Sequence, residues 1–131
     1  MTVKLGSIKA DLNRERDGDW VPIPDLPGVE LKVRGFNYGP YLQQKSIVEM
    51  RWVRKYGRDP VPPDVAYRAN AQLYADFILL DWKGFDTPYS PDTAAETLLD
   101  PAYRELHDHI RYAGMKVGLV EADFTEDAEK N

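Results

Sequence analysis

The spacing of hydrophobic and polar positions changes several times along the chain. Residues 1–18 are mostly polar, with Val3, Leu5 and Ile8 in broken alternation, so a short strand is expected within residues 1–8. A dense run of mixed charge follows and ends on the turn signal Asp17-Gly18, which predicts a polar N-terminal arm over residues 1–18. Residues 20–34 read as a β-hairpin. Trp20-Val21-Pro22-Ile23 is a strand that its proline confines to an edge, and Pro24 to Gly28 is turn chemistry. Val29-Glu30-Leu31-Lys32-Val33-Arg34 alternates with period two, placing Val29, Leu31 and Val33 on one buried face.

The period then becomes helical. Pro40 opens a helix over about 40–56, in which Val48, Trp52 and Tyr56 recur at i, i+4 and i+8, with Tyr41 one heptad before Val48. Ile47, Met50 and Val53 widen its apolar arc, and Gly57 stops it. A proline-rich corner leads to a second helix over 63–82. Its two adjacent apolar stripes (Ala66, Leu73, Phe77, Leu80 and Tyr67, Ala71, Tyr74, Ile78) predict the most buried element. Ser90-Pro91-Asp92 and Asp100-Pro101 each supply an N-cap followed by proline, predicting helices over 91–99 and 101–116. Tyr103, Leu106, Ile110, Ala113 and Val117 share one face of the second. Residues 121–131 carry five acids and one lysine and read as an acidic, flexible tail. The expected fold is mainly α: an N-terminal β-hairpin followed by a bundle of about four helices, in a single globular domain over 19–120.

Composition narrows the class. The chain has 131 residues, 43% hydrophobic and 30% charged, enough for one packed core. No apolar run approaches the ~18–20 residues of a membrane span. No basic-then-apolar segment at the N-terminus indicates secretion. Cysteine is absent, which excludes disulfides, a thiol nucleophile and Cys-ligated metals, and fits a reducing cytoplasm. The net charge of −5 is uneven: eleven Lys and Arg face eight Asp and Glu over residues 1–60, against six and fourteen over 61–131. Overall acidity argues against a general nucleic-acid binder.

Catalytic signals are scarce. His107-Asp108-His109 holds both histidines, but on a helix positions i and i+2 point roughly 200° apart, so the two imidazoles cannot share one ion. There is no Gly-x-Ser-x-Gly elbow and no glycine-rich phosphate loop. Asp81 to Asp86 does not follow calcium-loop spacing. No enzyme, cofactor or metal is expected. The one basic patch is Arg51, Arg54, Lys55 and Arg58, with Trp52 and Tyr56 interleaved. Such a patch can stack bases, although a solvated helix face meeting acidic groups within or between subunits is the favoured reading. Fifteen aromatic residues, eight of them tyrosines, include several in loops (Phe36, Tyr38, Phe85, Tyr89). They either anchor those loops or form an amphipathic surface for another chain. The candidate partner contacts are Trp52, Tyr56, Tyr74, Trp82, Phe85 and Tyr89.

Leu80-Asp81-Trp82-Lys83-Gly84-Phe85, Thr87-Pro88-Tyr89-Ser90-Pro91-Asp92 and Leu98-Leu99-Asp100-Pro101 together resemble the tail assembly chaperones of long non-contractile-tailed bacteriophages and prophages. The hairpin with Pro24, Pro27-Gly28 and Val33-Arg34-Gly35 also looks like the start of such proteins, so the resemblance covers roughly residues 19–115. It implies a non-enzymatic protein of the host bacterial cytoplasm. Such a protein binds the aggregation-prone tape measure protein, recruits tail tube protein and is absent from the finished particle. It also implies two further partners, a frameshifted longer form of the chain and other copies of itself. Glu129-Lys130-Asn131 is compatible with a slippery run of A residues. The matching positions, Trp82, Gly84, Ser90 and Pro91 among them, are structural types and carry over no binding role. A head-to-tail connector or other structural virion subunit is the alternative reading, and a small nucleic-acid-binding regulator using Arg51 to Arg58 the third.

Overall fold

In the computed structural model, which describes residues 1–120 and the backbone of 124–125, ten regular elements follow one another. They are β1 (Thr2–Val3), α1 (Leu12–Asp17), β2 (Asp19–Pro22), β3 (Glu30–Val33), α2 (Gly39–Tyr56), α3 (Pro63–Leu73), β4 (Leu79–Lys83), α4 (Pro91–Leu99), α5 (Arg104–Lys116) and β5 (Phe124–Thr125). The architecture is a helix-dominated α+β fold. A three-stranded antiparallel sheet of order β2-β3-β4 carries the helices.

The hairpin pairs Val21 with Leu31 and Asp19 with Val33, and Val29, Leu31 and Val33 are all buried, as period-two alternation requires. The third strand departs from the sequence expectation. The helix predicted over 63–82 ends at Leu73, passes through a π-helical turn at Tyr74–Ile78, and becomes β4. Leu31 pairs with Trp82 and Lys32 with Asp81, and the register shifts so that Val33 meets Leu79. The apolar run 77–80 continues the helical arc, yet as a strand it completes the ladder along β3 while keeping Ile78, Leu79 and Trp82 buried. The hairpin face thereby gains a covalent continuation of the helical layer.

The core joins Leu31 and Val33 of the sheet to Ile78 and Leu79, Leu98 of α4, and Ile110 and Val117 at the α5 end, all almost fully buried. Ser90 caps α4 by accepting from the Thr93 amide at 3.1 Å. Asp100 accepts from the Ala102 amide at 2.9 Å and starts a 3-10 turn, Pro101–Tyr103, that feeds α5. His107 lies inside: its Nε2–H donates to the Leu98 carbonyl at 2.8 Å, and its ring stacks on Tyr67 at 4.4 Å.

Residues 1–18 differ from a plain polar arm. Asp11 caps α1 by accepting from the Arg14 amide, and its own amide donates to the Gly118 carbonyl at 2.7 Å. The Gly35 amide donates to the Glu15 carbonyl at 2.9 Å, and Asn37 Nδ2 to Glu15 Oε2 at 2.9 Å. The strand expected near the N-terminus shrinks to Thr2–Val3, paired with Phe124–Thr125, and Leu5–Ile8 form a 3-10 turn. Apart from that pairing, the expected acidic tail over 121–131 lies outside the described residues.

Both outer strands of the three-stranded sheet begin with or contain an Asp-Trp pair. Asp19 Oδ1 accepts from the Trp20 amide at 2.7 Å on β2, and Asp81 Oδ1 from the Trp82 amide at 2.8 Å on β4.

Candidate functional site

Helix α2 is the least covered of the long elements. Its first turn is anchored by Tyr41, its only buried residue, which meets Phe36 edge-on at 5.6 Å. Val48, Trp52 and Tyr56 follow on the same face and are half-buried against the remainder of the fold. The stripe therefore has the expected direction but not the expected depth. Ile47, Met50 and Val53, read from the sequence as widening the buried arc, are turned outward. Leu42 is 44% exposed, Ile47 44%, Met50 58% and Val53 68%, forming an apolar ridge along the outer face. A ridge of this kind is a candidate contact surface.

The basic patch flanks that ridge. Among the described residues, Arg51, Arg54 and Arg58 form no ion pair; Lys45 meets Glu49 at 3.8 Å, and the Lys55 ammonium sits 5.4 Å over the Tyr56 ring. A shallow groove along the ridge is lined by Ser46, Glu49, Met50, Val53 and Arg54.

The other predicted contacts are not on this surface. Tyr74 is buried within the π-helical turn, between Phe36 at 5.8 Å and His107 at 5.5 Å. Trp82 is buried too, its Nε1–H donating to the Thr87 carbonyl at 2.8 Å. Tyr74 and Trp82 thus belong to the chain's own core, Trp82 with one edge at the pocket described next. Phe85 and half-buried Tyr89 stand edge-on to Trp82, at 5.6 and 5.3 Å. Burial pushes the Tyr89 phenol above its ordinary range.

Phe85 does reach a second surface feature, one that sequence periodicity did not mark. Leu26 of the hairpin turn, Trp82, Phe85, Tyr103 and Leu106 line a pocket of about 310 Å³ with Asp86 and Glu105 at its rim. It runs on through Leu26, Glu105 and His109 into a neighbouring depression that adds Asp25, Asp108 and Tyr112. No lysine or arginine lines either part. The signal for this groove was the acid-rich second half together with the exposed aromatics Phe85 and Tyr103, but the turn that completes it comes from sixty residues away in the sequence.

His107 and His109 separate as helical geometry requires, one inside the core and one half-buried at the groove. Burial lowers the His107 pKa, so the ring is neutral near pH 7. Among the described residues no group of three or more His, Asp or Glu is placed to hold a metal ion. Nor is any described helix long and apolar enough to cross a membrane.

Residues 36–131 match the family model described as YdaY prophage protein. The match takes in α2 and everything after it, and so includes the ridge and most of the acid-rimmed groove. No curated protein and no solved structure matches the chain.

Proposed function

The chain belongs to the YdaY prophage protein family, and from that premise we propose that it is a phage tail assembly chaperone, acting without chemistry in the host bacterial cytoplasm. Its client is the tape measure protein, which it keeps soluble while tail tube protein assembles around it. The observation that carries this reading is the exposed apolar ridge of α2 beside Arg51, Arg54 and Arg58, which form no ion pair among the described residues. A long amphipathic client helix offers an apolar stripe and charged rims, which is the complement of that surface.

The magnitudes suit a transient holder. Covering four partly exposed side chains contributes roughly 1 kcal/mol each, about half the value for full burial. A gross gain of roughly 4 kcal/mol from this side of the contact is no larger than the entropic cost of association, so the complex stays weak and a client can be released to a growing tube. The flanking arginines steer encounter with an acidic client more than they tighten the complex.

Coexpression with the tape measure protein of the same prophage tests the proposal. The wild-type chain is expected to raise the client's soluble fraction and co-purify with it, and Met50→Glu with Val53→Glu to lose both effects without unfolding. No gain in solubility with the wild type refutes the reading. A stoichiometric band in purified particles points instead to a structural virion subunit.

A further inference from the structure

The same fold carries two surfaces of complementary character, with no lining residue in common. One is the apolar ridge of α2, flanked by Arg51, Arg54 and Arg58. The other is the acid-rimmed groove at the start of α5. Its carboxylates are as free as the arginines: among the described residues Asp25 and Glu105 have no ion pair or side-chain hydrogen bond, and Asp86 accepts only from the Thr87 hydroxyl at 3.4 Å. Asp108 is already taken by Arg111. The groove floor is apolar and aromatic, with Tyr103 52% exposed and Phe85 38%. A ridge with unpaired cations thus faces outward in one place, and an apolar slot with unpaired carboxylates in another.

We infer that the groove receives helix α2 of a second copy of the chain, joining protomers head to tail. Charge selects this occupant. Two α2 helices placed face to face would oppose two basic surfaces, since α2 and Arg58 carry five cations against Glu49. Two grooves would oppose carboxylates. Of the three pairings, ridge into groove alone brings opposite charges together and covers apolar surface on both sides. The interface is heterologous, so each bound copy leaves one ridge and one groove free, and growth continues until a ring closes. Because the ridge is also the proposed client surface, a second copy and the client compete for it; that clause alone rests on the chaperone reading.

The test is sedimentation of the purified full chain over a wide range of concentration and salt. Wild type is expected to gain mass with concentration and to lose it as salt screens the charge pairs. Val53→Glu disables the ridge, and Phe85→Ser with Tyr103→Ser disables the groove; each alone is expected to stay monomeric. An equimolar mixture of the two is expected to give a heterodimer and nothing larger, because only one competent ridge and one competent groove remain. Glu105→Gln with Asp86→Asn, which leaves the aromatic packing in place, is expected to weaken association about tenfold and to flatten its salt dependence. A wild type that stays monomeric throughout overturns the inference, as do ridge and groove variants that assemble like wild type, or a mixture that recovers no heterodimer. A monomeric wild type that still solubilises the client overturns only this inference. One that assembles as described but leaves the client insoluble overturns only the chaperone reading.

Discussion

Gly84, at the end of β4, can be set against Gly57 to separate two costs of adding a methyl group. Gly84 has φ +95°, and a Cβ there would press on the Gly28 carbonyl oxygen and lie 2.7 Å from Gly28 C and Val29 Cα. Gly57 ends α2 at φ +60°, with no atom within 4 Å of a Cβ. With ψ at −119°, Gly57 lies outside the left-handed helical well, so Gly57→Ala incurs only a backbone cost, roughly 1–3 kcal/mol, offset by ~0.4–1 kcal/mol from a stiffer unfolded chain. Gly84→Ala incurs the same balance plus a backbone collision that only separation of β4 from the hairpin turn can relieve. Losing one or two ladder hydrogen bonds next to Glu30 and Lys83, at about 1 kcal/mol each, brings its expected cost to about 2–3 kcal/mol. For a domain of this size that lowers the melting temperature by roughly 6–15 °C. Parallel urea and thermal unfolding of the two variants measures the gap. If Gly84→Ala falls within ~0.5 kcal/mol of Gly57→Ala, the close approach of β4 to the turn is not what requires glycine.

Three further outcomes are expected. Burial holds the His107 pKa below its ordinary 6.5, so the unfolded chain binds a proton more readily than the folded one. Stability is then full above pH ~6.5 and is lost as pH falls from there through the lower folded value; in pH-resolved melts, His107→Phe should flatten that slope, while losing ~1–3 kcal/mol at alkaline pH because the Leu98 carbonyl loses its donor. Ser90→Ala removes the α4 cap and should cost about 1 kcal/mol in urea unfolding, with Ser90→Gly costing only a few tenths. Trp82→Phe keeps a ring between Phe85 and Tyr89 but abandons the Thr87 carbonyl, and should destabilise by ~1–3 kcal/mol while exposing the 85–89 loop to protease.

Local chemistry was the legible part of the sequence. Ser90-Pro91-Asp92 and Asp100-Pro101 start α4 and the turn into α5 because capping depends on a few adjacent residues. The alternation at Val29 to Val33 placed the buried face of β3 for the same reason. Leu79 to Lys83 was hidden because its apolar residues continue the helical arc of α3, and only the distant partner β3 decides between helix and strand. Burial depth along α2 was hidden too. Periodicity gave the direction of Tyr41, Val48, Trp52 and Tyr56, but it cannot tell how much of the chain arrives on the far side, and there Leu42, Ile47, Met50 and Val53 stay largely exposed. Tyr74 and Trp82 were marked as contacts on composition alone, and aromatic type does not distinguish a core ring from a docking ring.

The Asp-Trp pairs at the two margins of the sheet have a consequence for what the sheet can recruit. A short sheet with open sides is a template on which foreign backbone can zip up. Here each margin has a backbone donor already occupied by a carboxylate of the same strand; at β2 that carboxylate is also held by Arg14 at 2.8 Å, and at β4 it adds a negative charge. Each occupied amide is one ladder bond fewer on offer, so foreign backbone gains less by pairing at either margin.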